Sequence, residues 1–106
     1  MIRWADKLYL SEDMKAKKKI KMMKAIENGH LTFVVYCITI ASNPNNLFDI
    51  MNANELLFHY YSQKGIDVLG LATSKEQAKF LVKDMLEEIY KETGGFKVRE
   101  YFLKKL

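Results

Sequence analysis

Two segments of the chain are apolar on both of their alternating faces. In residues 31–41, the odd positions from Leu31 to Cys37 and the even positions from Val34 to Ile40 are all aliphatic, aromatic or cysteine. Residues 66–72 are also strongly apolar, with Gly70 inside the run. A strand with two apolar faces is covered on both sides. The pattern therefore predicts two central strands, side by side, in a sheet shielded above and below, and Gly70 indicates a bulge or a closely packed helix.

The first predicted helix runs from Ser11, as its N-cap, to about Glu27, and Asn28-Gly29 ends it. At 100° per residue, one arc of this helix is apolar and the opposite arc is basic. The predicted core arc consists of Ala16, Ile20, Met23 and Ile26. Three further apolar residues lie off that arc and are expected to be exposed: Met14, Met22 and Ala25.

The last long helix has the strongest boundary signals. Ser74-Lys75-Glu76-Gln77 is a capping box, and Gly94-Gly95 provides the stop. Its predicted buried face consists of Ala78, Leu81, Val82, Met85 and Ile89, with i,i+4 pairs among Lys83, Glu87 and Lys91 on the other face. Phe80 falls on that polar face, where single exposed apolar residues are common but a homodimer contact is the alternative.

The remaining segments complete a mixed α/β order. Residues 7–10 predict a short strand, residues 42–46 a turn, and residues 53–63 a helix capped by Asn52. Residues 47–51 begin a helix or form the return strand of a hairpin, and the hairpin is favoured. Residues 96–102 predict an edge strand or a docked tail. The chain is therefore predicted to be one α/β domain, residues 1–106, with three helices on a mixed three- to five-stranded sheet in the order β-α-β-β-α-β-α.

The positive charge of the chain is confined to its beginning. Residues 1–30 contain eight basic and four acidic side chains, which gives +4, the net charge of all 106 residues. Lys17, Lys21 and Lys24 share the helix face opposite the predicted core. Such a stripe fits a nucleic acid backbone or an acidic protein partner, and a solvated helix face is the alternative. Arg3 and Trp4 are the only nearby residues that could assist nucleic acid binding.

A second candidate site lies at the ends of the two apolar strands. Its residues are polar or small and follow the strands directly: Ser42, Asn43 and Asn45 after the first, Thr73 and Ser74 after the second. If the two strands are parallel, these loops are neighbours, and a small ligand or a substrate could bind there. Ordinary turn and cap chemistry explains the same residues.

Established catalytic and metal motifs are absent from the sequence. There is no CxxC, HExxH, EF-hand spacing, P-loop, GxGxxG or GxSxG, so no cofactor, metal site or catalytic residue is predicted. Cys37 lies inside an apolar strand, where a thiol has a raised pKa and little nucleophilic character. His30 and His59 are the only histidines, and neither has metal-ligand spacing.

The setting predicted for the protein is the cytoplasm. Residues 1–10 lack the apolar core of an export signal, and the longest apolar run is far shorter than the roughly 20 residues that span a bilayer. The single cysteine excludes an intramolecular disulfide and favours a reducing compartment.

Four segments in this order resemble a family of small uncharacterised proteins from Gram-positive anaerobic bacteria. They are Ile38–Asn46, Asn54–Leu57 with Tyr60-Tyr61, Asp67–Ala72, and Glu88–Gly94, and the resemblance spans residues 7–102. It implies a bacterial cytoplasmic protein and carries no activity or functional residue. The missing catalytic motifs, and apolar sheet faces larger than three short helices are expected to cover, favour a non-enzymatic binding or assembly module that forms homo-oligomers. The alternatives are a nucleic-acid-associated protein and, third, a small-ligand protein or enzyme.

Overall fold

The two apolar segments are the central strands of a four-stranded sheet. The computed structural model describes residues 2–28, 34–41, 45–58 and 66–103. Its strands are β1 (Ile2–Leu10), β2 (Tyr36–Ile40), β3 (Phe48–Asn52) and β4 (Ile66–Ala72). They are arranged in the order β1-β4-β2-β3, so β4 and β2 lie next to each other between the two edge strands. The predicted central position of the two strands is confirmed, but the first strand is shorter than residues 31–41. It begins at Tyr36, Val34 is 61% exposed, and residues 31–33 lie outside the described residues.

Within the described residues, four helices accompany the sheet: α1 (Ala16–Asn28), α2 (Ala53–Phe58), α3 (Lys75–Thr93) and α4 (Val98–Leu103). The predicted α/β class and the order of elements through α3 are confirmed. The strand considered for residues 96–102 is wrong, because this segment contains α4. Val98 and Phe102, four residues apart, are both buried against the sheet, and Arg99 donates a hydrogen bond to the carbonyl of Ala41. The docked tail considered as the alternative is therefore the observed arrangement.

Strand directions are mixed. β1 is parallel to β4, whereas β2 is antiparallel to both β4 and β3. The β2–β3 pairing runs from Ile40 opposite Phe48 to Tyr36 opposite Asn52. The segment predicted as either a helix start or a return strand, residues 47–51, therefore forms the return strand of a hairpin, with β3 covering Phe48–Asn52. At its end, the Asn52 side chain accepts a hydrogen bond from the Asn54 amide at 2.9 Å, as expected where α2 begins.

Each face of the sheet has its own buried apolar cluster. The first is covered by α3 and α4 and includes Ile38, Leu69, Met85, Ile89 and Phe102. The second is covered by α1 and the start of α2 and includes Met22, Ile26, Cys37, Ala53 and Val68. Both faces of the sheet are thus covered within one chain, and they do not require a second copy. The exposed large apolar side chains of the described residues lie partly on helices, at Ile20, Phe80 and Tyr90, and partly in connecting segments, at Val34, Leu47 and Phe96.

Gly70 lies at a bulge and at a close helix contact, as both sequence interpretations anticipated. Ile38 pairs with Gly70 and Thr39 with Val68, which leaves Leu69 as the extra residue in β4. A Cβ at Gly70 would lie 3.2 Å from the carbonyl oxygen of Tyr9 and 3.3 Å from Cδ2 of Leu81 in α3. The absence of a side chain therefore allows α3 to pack closely on the sheet.

The boundaries of α3 are those predicted. The Ser74 hydroxyl accepts a hydrogen bond from the Gln77 amide at 3.1 Å, and Gly94 adopts a left-handed conformation with φ 76°. The predicted N-cap of α1 is wrong. Ser11 ends β1 in a turn, in which its carbonyl accepts from the Met14 amide, and α1 begins at Ala16.

The buried face of α1 differs from the predicted one. Met22 and Ile26 are buried, whereas Ile20 is 53% exposed, and Met14, just before the helix, is also buried. The buried arc is therefore rotated by roughly one residue position, about 80–100°, from the predicted arc. Methionine fills irregular space easily, so Met14 and Met22 occupy the gap between α1 and the sheet. The expectation that they are exposed is wrong.

Candidate functional site

The basic stripe of α1 lies where the sequence predicted. Lys17, Lys21 and Lys24 are exposed, on the side of the helix opposite the buried Met22 and Ile26. Lys21 lies four residues after Lys17 and three residues before Lys24, so each lysine is next to another on one helix face. The structure therefore presents them together, in an arrangement that an anionic partner can contact.

The two proposed assistants of this stripe are engaged elsewhere. Arg3 forms a two-point ion pair with Asp67, with N–O distances of 2.7 and 3.0 Å. This contact raises the pKa of Arg3, mainly through the hydrogen bond and then through the opposite charge. The Trp4 side chain packs against the buried cluster beneath α1. Each of the two side chains therefore has a structural contact of its own.

The carboxyl ends of β2 and β4 lie at opposite ends of the sheet. Because β2 and β4 are antiparallel, Tyr36 lies opposite Ala72, and the end of β2 lies at the other end of the sheet from Thr73 and Ser74. Asn45, in the turn after β2, belongs to that other end. Ser42 and Asn43 lie outside the described residues. The condition on which this ligand site depended, parallel strands, is not met.

Thr73 and Ser74 are occupied by structural contacts. The Thr73 hydroxyl donates to Oδ2 of Asp13 at 2.5 Å, and the Ser11 hydroxyl donates to Oδ1 of the same carboxylate at 2.8 Å. These two hydrogen bonds lower the pKa of Asp13, with the Thr73 bond contributing most. The network ties the turn after β1 to the end of β4, while Ser74 caps α3. Turn and cap chemistry accounts for both residues.

The other candidate reactive groups are also held in structural roles. Cys37 is fully buried, and burial raises its pKa to about 12, which leaves almost no thiolate at neutral pH. Burial, followed by a hydrogen bond to Glu88, raises the pKa of Tyr9. Lys7 donates to Glu88 at 2.7 Å and lies 4.8 Å from the centre of the Tyr9 ring. These contacts dock β1 onto α3. His30 and His59 lie outside the described residues.

The most distinctive surface is the outer side of α3. Phe80 is 55% exposed there, as predicted, and Tyr90 is 54% exposed. Phe96, after the helix, is 49% exposed and stacks on Tyr90 with ring centres 5.3 Å apart. Large aromatic side chains at this exposure are typical of contact surfaces, since they bury much area at small entropic cost. Together, Phe80, Lys83, Glu87 and Tyr90 are called the α3 stripe below.

Two grooves border the α3 stripe. An apolar groove of about 500 Å³ lies on one side and is lined by Val82, Leu86, Tyr90 and Phe96. A more polar groove of about 350 Å³ lies on the other side and is lined by Leu10, Ser11, Gln77 and Asp84. Lys83 borders both grooves. The stripe is thus a ridge between two grooves. A second helix can pack against such a surface when the ridges of each helix lie in the grooves of the other.

The charged residues of the stripe are available for contact. The predicted i,i+4 ion pairs among Lys83, Glu87 and Lys91 do not form within the described part of the chain, whose ion pairs include Arg3–Asp67 and Lys7–Glu88. All three side chains are exposed. The sequence pattern indicates Phe80 as an exposed apolar residue but does not indicate Tyr90 or Phe96. The spacing of Phe80 and Tyr90 on one helix face was a usable signal, whereas the Tyr90–Phe96 stack depends on how the chain reverses after Gly94.

The described residues contain neither a metal-binding cluster nor a membrane-spanning helix. Across the residues that the structure describes, no three His, Cys, Asp or Glu side chains lie close enough to hold a metal ion. No helix within these same ranges has the length and hydropathy needed to cross a membrane.

Comparisons of this chain with models of known protein families, with curated proteins and with solved structures each give no match. The resemblance to small proteins of Gram-positive anaerobes therefore stays a prediction.

Proposed function

We propose that the protein is a non-enzymatic assembly module that binds a second copy of itself through the outer side of α3. The observation that carries this proposal is the exposure of two large aromatic side chains, Phe80 and Tyr90, on a 19-residue helix that is otherwise well packed on the sheet. Exposed large aromatic residues are enriched at protein interfaces, in which a few aromatic anchors supply most of the binding energy.

The roles of the reactive side chains support a binding protein over an enzyme. Cys37 is a buried thiol, Thr73 is bound to Asp13, and Ser74 caps α3. Each side chain is thus used to hold the fold together. We place the protein in the cytoplasm, as its unpaired cysteine favours a reducing compartment.

The mass of the protein in solution tests the proposal. Sedimentation equilibrium is expected to give a monomer–dimer equilibrium, with the mass rising from one 12.4 kDa chain towards two as concentration increases. The double variant Phe80→Glu/Tyr90→Glu is expected to remain a monomer, because two carboxylates would replace the aromatic anchors. Truncating an interface anchor typically weakens binding by about 2 kcal/mol or more.

A matched control uses exposed apolar residues on other surfaces. Ile20 in α1 is 53% exposed, and Leu47, before β3, is also exposed. The variant Ile20→Glu/Leu47→Glu should dimerise like the parent. A parent protein that stays monomeric at every accessible concentration would rule out the proposal, as would a dimer unaffected by the changes at Phe80 and Tyr90.

A second candidate function, nucleic acid binding, is favoured by the charge of α1. This helix contains five lysines and one acid, Glu27, so it carries +4 over 13 residues. Its first turn contains no acidic residue. Lysines in that position oppose the helix dipole by roughly 0.3–1 kcal/mol each. Lys17 is the stripe residue in this first turn, and an anionic partner at the stripe would offset that cost.

Retention on mixed DNA and RNA tests this second candidate. The parent is expected to bind at low salt and to be released as salt rises, whereas Lys17→Glu/Lys21→Glu/Lys24→Glu should bind at least about tenfold more weakly, with a shallower salt dependence. The control is a triple variant of exposed lysines on the other face of the sheet: Lys75→Glu/Lys79→Glu/Lys97→Glu. Equal binding by the parent and the first triple variant would exclude this function for α1.

A further inference from the structure

The α3 stripe has the spacing of a coiled-coil seam. Phe80, Lys83, Glu87 and Tyr90 are separated by three, four and three residues, which are the a, d, a and d positions of a heptad. The opposite side of the same helix faces the sheet and carries the buried Ala78, Met85 and Ile89. One side of α3 is thus committed to the core, and the other has the period needed to pack along a second helix.

The order of residues in the stripe distinguishes the two possible helix directions. In a parallel pair, each residue faces its own copy, so two lysines would face each other and two glutamates would do the same. In an antiparallel pair, a positions face d positions. Phe80 then faces Tyr90 of the second copy, and Lys83 faces Glu87. The stripe therefore complements itself only in the antiparallel direction.

We propose that two copies of the chain associate through antiparallel α3 helices, with a two-fold axis close to the level of residue 85. This inference rests on the proposed function and adds the register and the direction of the contact. Two Lys83–Glu87 pairs form near the axis, and a Phe80–Tyr90 pair lies at each end, about 15 Å apart along the helix pair. A two-fold interface of this kind uses the same patch on both subunits.

The surroundings of the stripe agree with this register. The apolar groove places Leu86 beside the axis, where it meets Leu86 of the second copy, and the stacked Phe96 extends the aromatic contact around Tyr90. Asp84 is the least favourable residue in this arrangement, because it lies near the axis and approaches Asp84 of the second copy, which has the same charge. Lys83, the adjacent residue, provides positive charge on both subunits at the same level.

A charge-swap experiment tests the direction of the helices. Lys83→Glu alone and Glu87→Lys alone each create two like-charge contacts across an antiparallel pair. Each variant is expected to raise the dimer dissociation constant by about tenfold. The double variant Lys83→Glu/Glu87→Lys restores both attractive pairs and is expected to dimerise within about threefold of the parent. Lys24→Glu in α1 makes the same charge change on the other face of the sheet and should leave the dissociation constant unchanged.

The outcomes separate this inference from the proposed function. If the parent dimerises through Phe80 and Tyr90 but neither single swap weakens the dimer, or the double variant does not recover it, the antiparallel register is wrong and the assembly function stands. If the parent never dimerises, both fail. Circular dichroism of every variant confirms that a weakened dimer does not come from an unfolded chain.

Discussion

Replacing Ile26 with alanine is expected to lower the free energy of unfolding by about 2–4 kcal/mol, whereas the same replacement at Ile20 is expected to change it by less than about 0.5 kcal/mol. Both residues lie in α1, and both belong to the apolar arc that the sequence predicts. In the structure, Ile26 is 1% exposed and Ile20 is 53% exposed. Only the first change removes buried methyl groups and leaves a cavity beneath the helix.

Urea unfolding of the two variants measures the difference, and the pair serves as its own control. The amino acids exchanged are identical, and alanine has the higher helix propensity at both positions. The measurements are best made in the Phe80→Glu/Tyr90→Glu background, since self-association would otherwise add to the apparent stability. Large losses at both positions would show that α1 packs with the face predicted from the sequence, which contains both residues.

Replacing Gly70 with valine is expected to lower the free energy of unfolding by about 2–3 kcal/mol. Even the first carbon of a side chain at Gly70 would meet the Tyr9 carbonyl at 3.2 Å, Leu81 at 3.3 Å and Ile38 at 3.4 Å. One of these contacts is main chain, which cannot turn aside as a flexible side chain does. The added methyl groups would therefore push α3 away from the sheet or distort the bulge in β4.

The control for this prediction is the same change at Gly95. No atom lies within 4 Å of a Cβ built there, so Gly95→Val is expected to stay within about 0.5 kcal/mol of the parent. Thermal or urea unfolding of both variants gives the comparison. Equal stability of Gly70→Val and the parent would mean that α3 does not approach the sheet at Gly70 as closely as the structure indicates.

The features that the sequence predicted well are those set by short-range rules. The centre of the sheet followed from strands that are apolar on both faces, and α3 followed from a capping box at one end and a glycine pair at the other. The Ser74–Gln77 hydrogen bond and the left-handed Gly94 are local contacts, which depend on residues within one helical turn. Such signals are complete in the sequence itself.

The errors arose where a distant contact competes with a local signal. Ser11 has the right type for an N-cap, but its amide donates to the carbonyl of Leu71 and its side chain to Asp13, so it stays with the sheet. The rotation of α1 has a similar cause, because the space beneath the helix is filled by Met14 and Met22. Residues 96–102 alternate loosely between apolar and polar positions, like a strand. The ring of Phe102, however, packs against the rings of Tyr9 and Phe48, and the segment contains α4.

The candidate surfaces also differ in whether they follow from local spacing or from contacts between distant parts of the chain. The position of Lys17, Lys21 and Lys24 on one exposed face follows from their spacing alone, and the structure places them there. The ligand loops required the direction of β2 relative to β4, which no local pattern specifies. The α3 stripe needed both kinds of information, because the heptad spacing is in the sequence but the exposure of Tyr90 and Phe96 is a result of packing.

The amino-acid sequence by itself determined the order of elements from β1 to α3, where α3 begins and ends, and that two strands lie in the interior. These properties depend on side-chain period and on contacts a few residues apart. Only the tertiary structure decided the antiparallel relation of β2 to β4, the face that α1 buries and the aromatic ridge between two grooves on α3. These depend on contacts between residues far apart in the chain, whose free energies are decided by how well whole elements fit together.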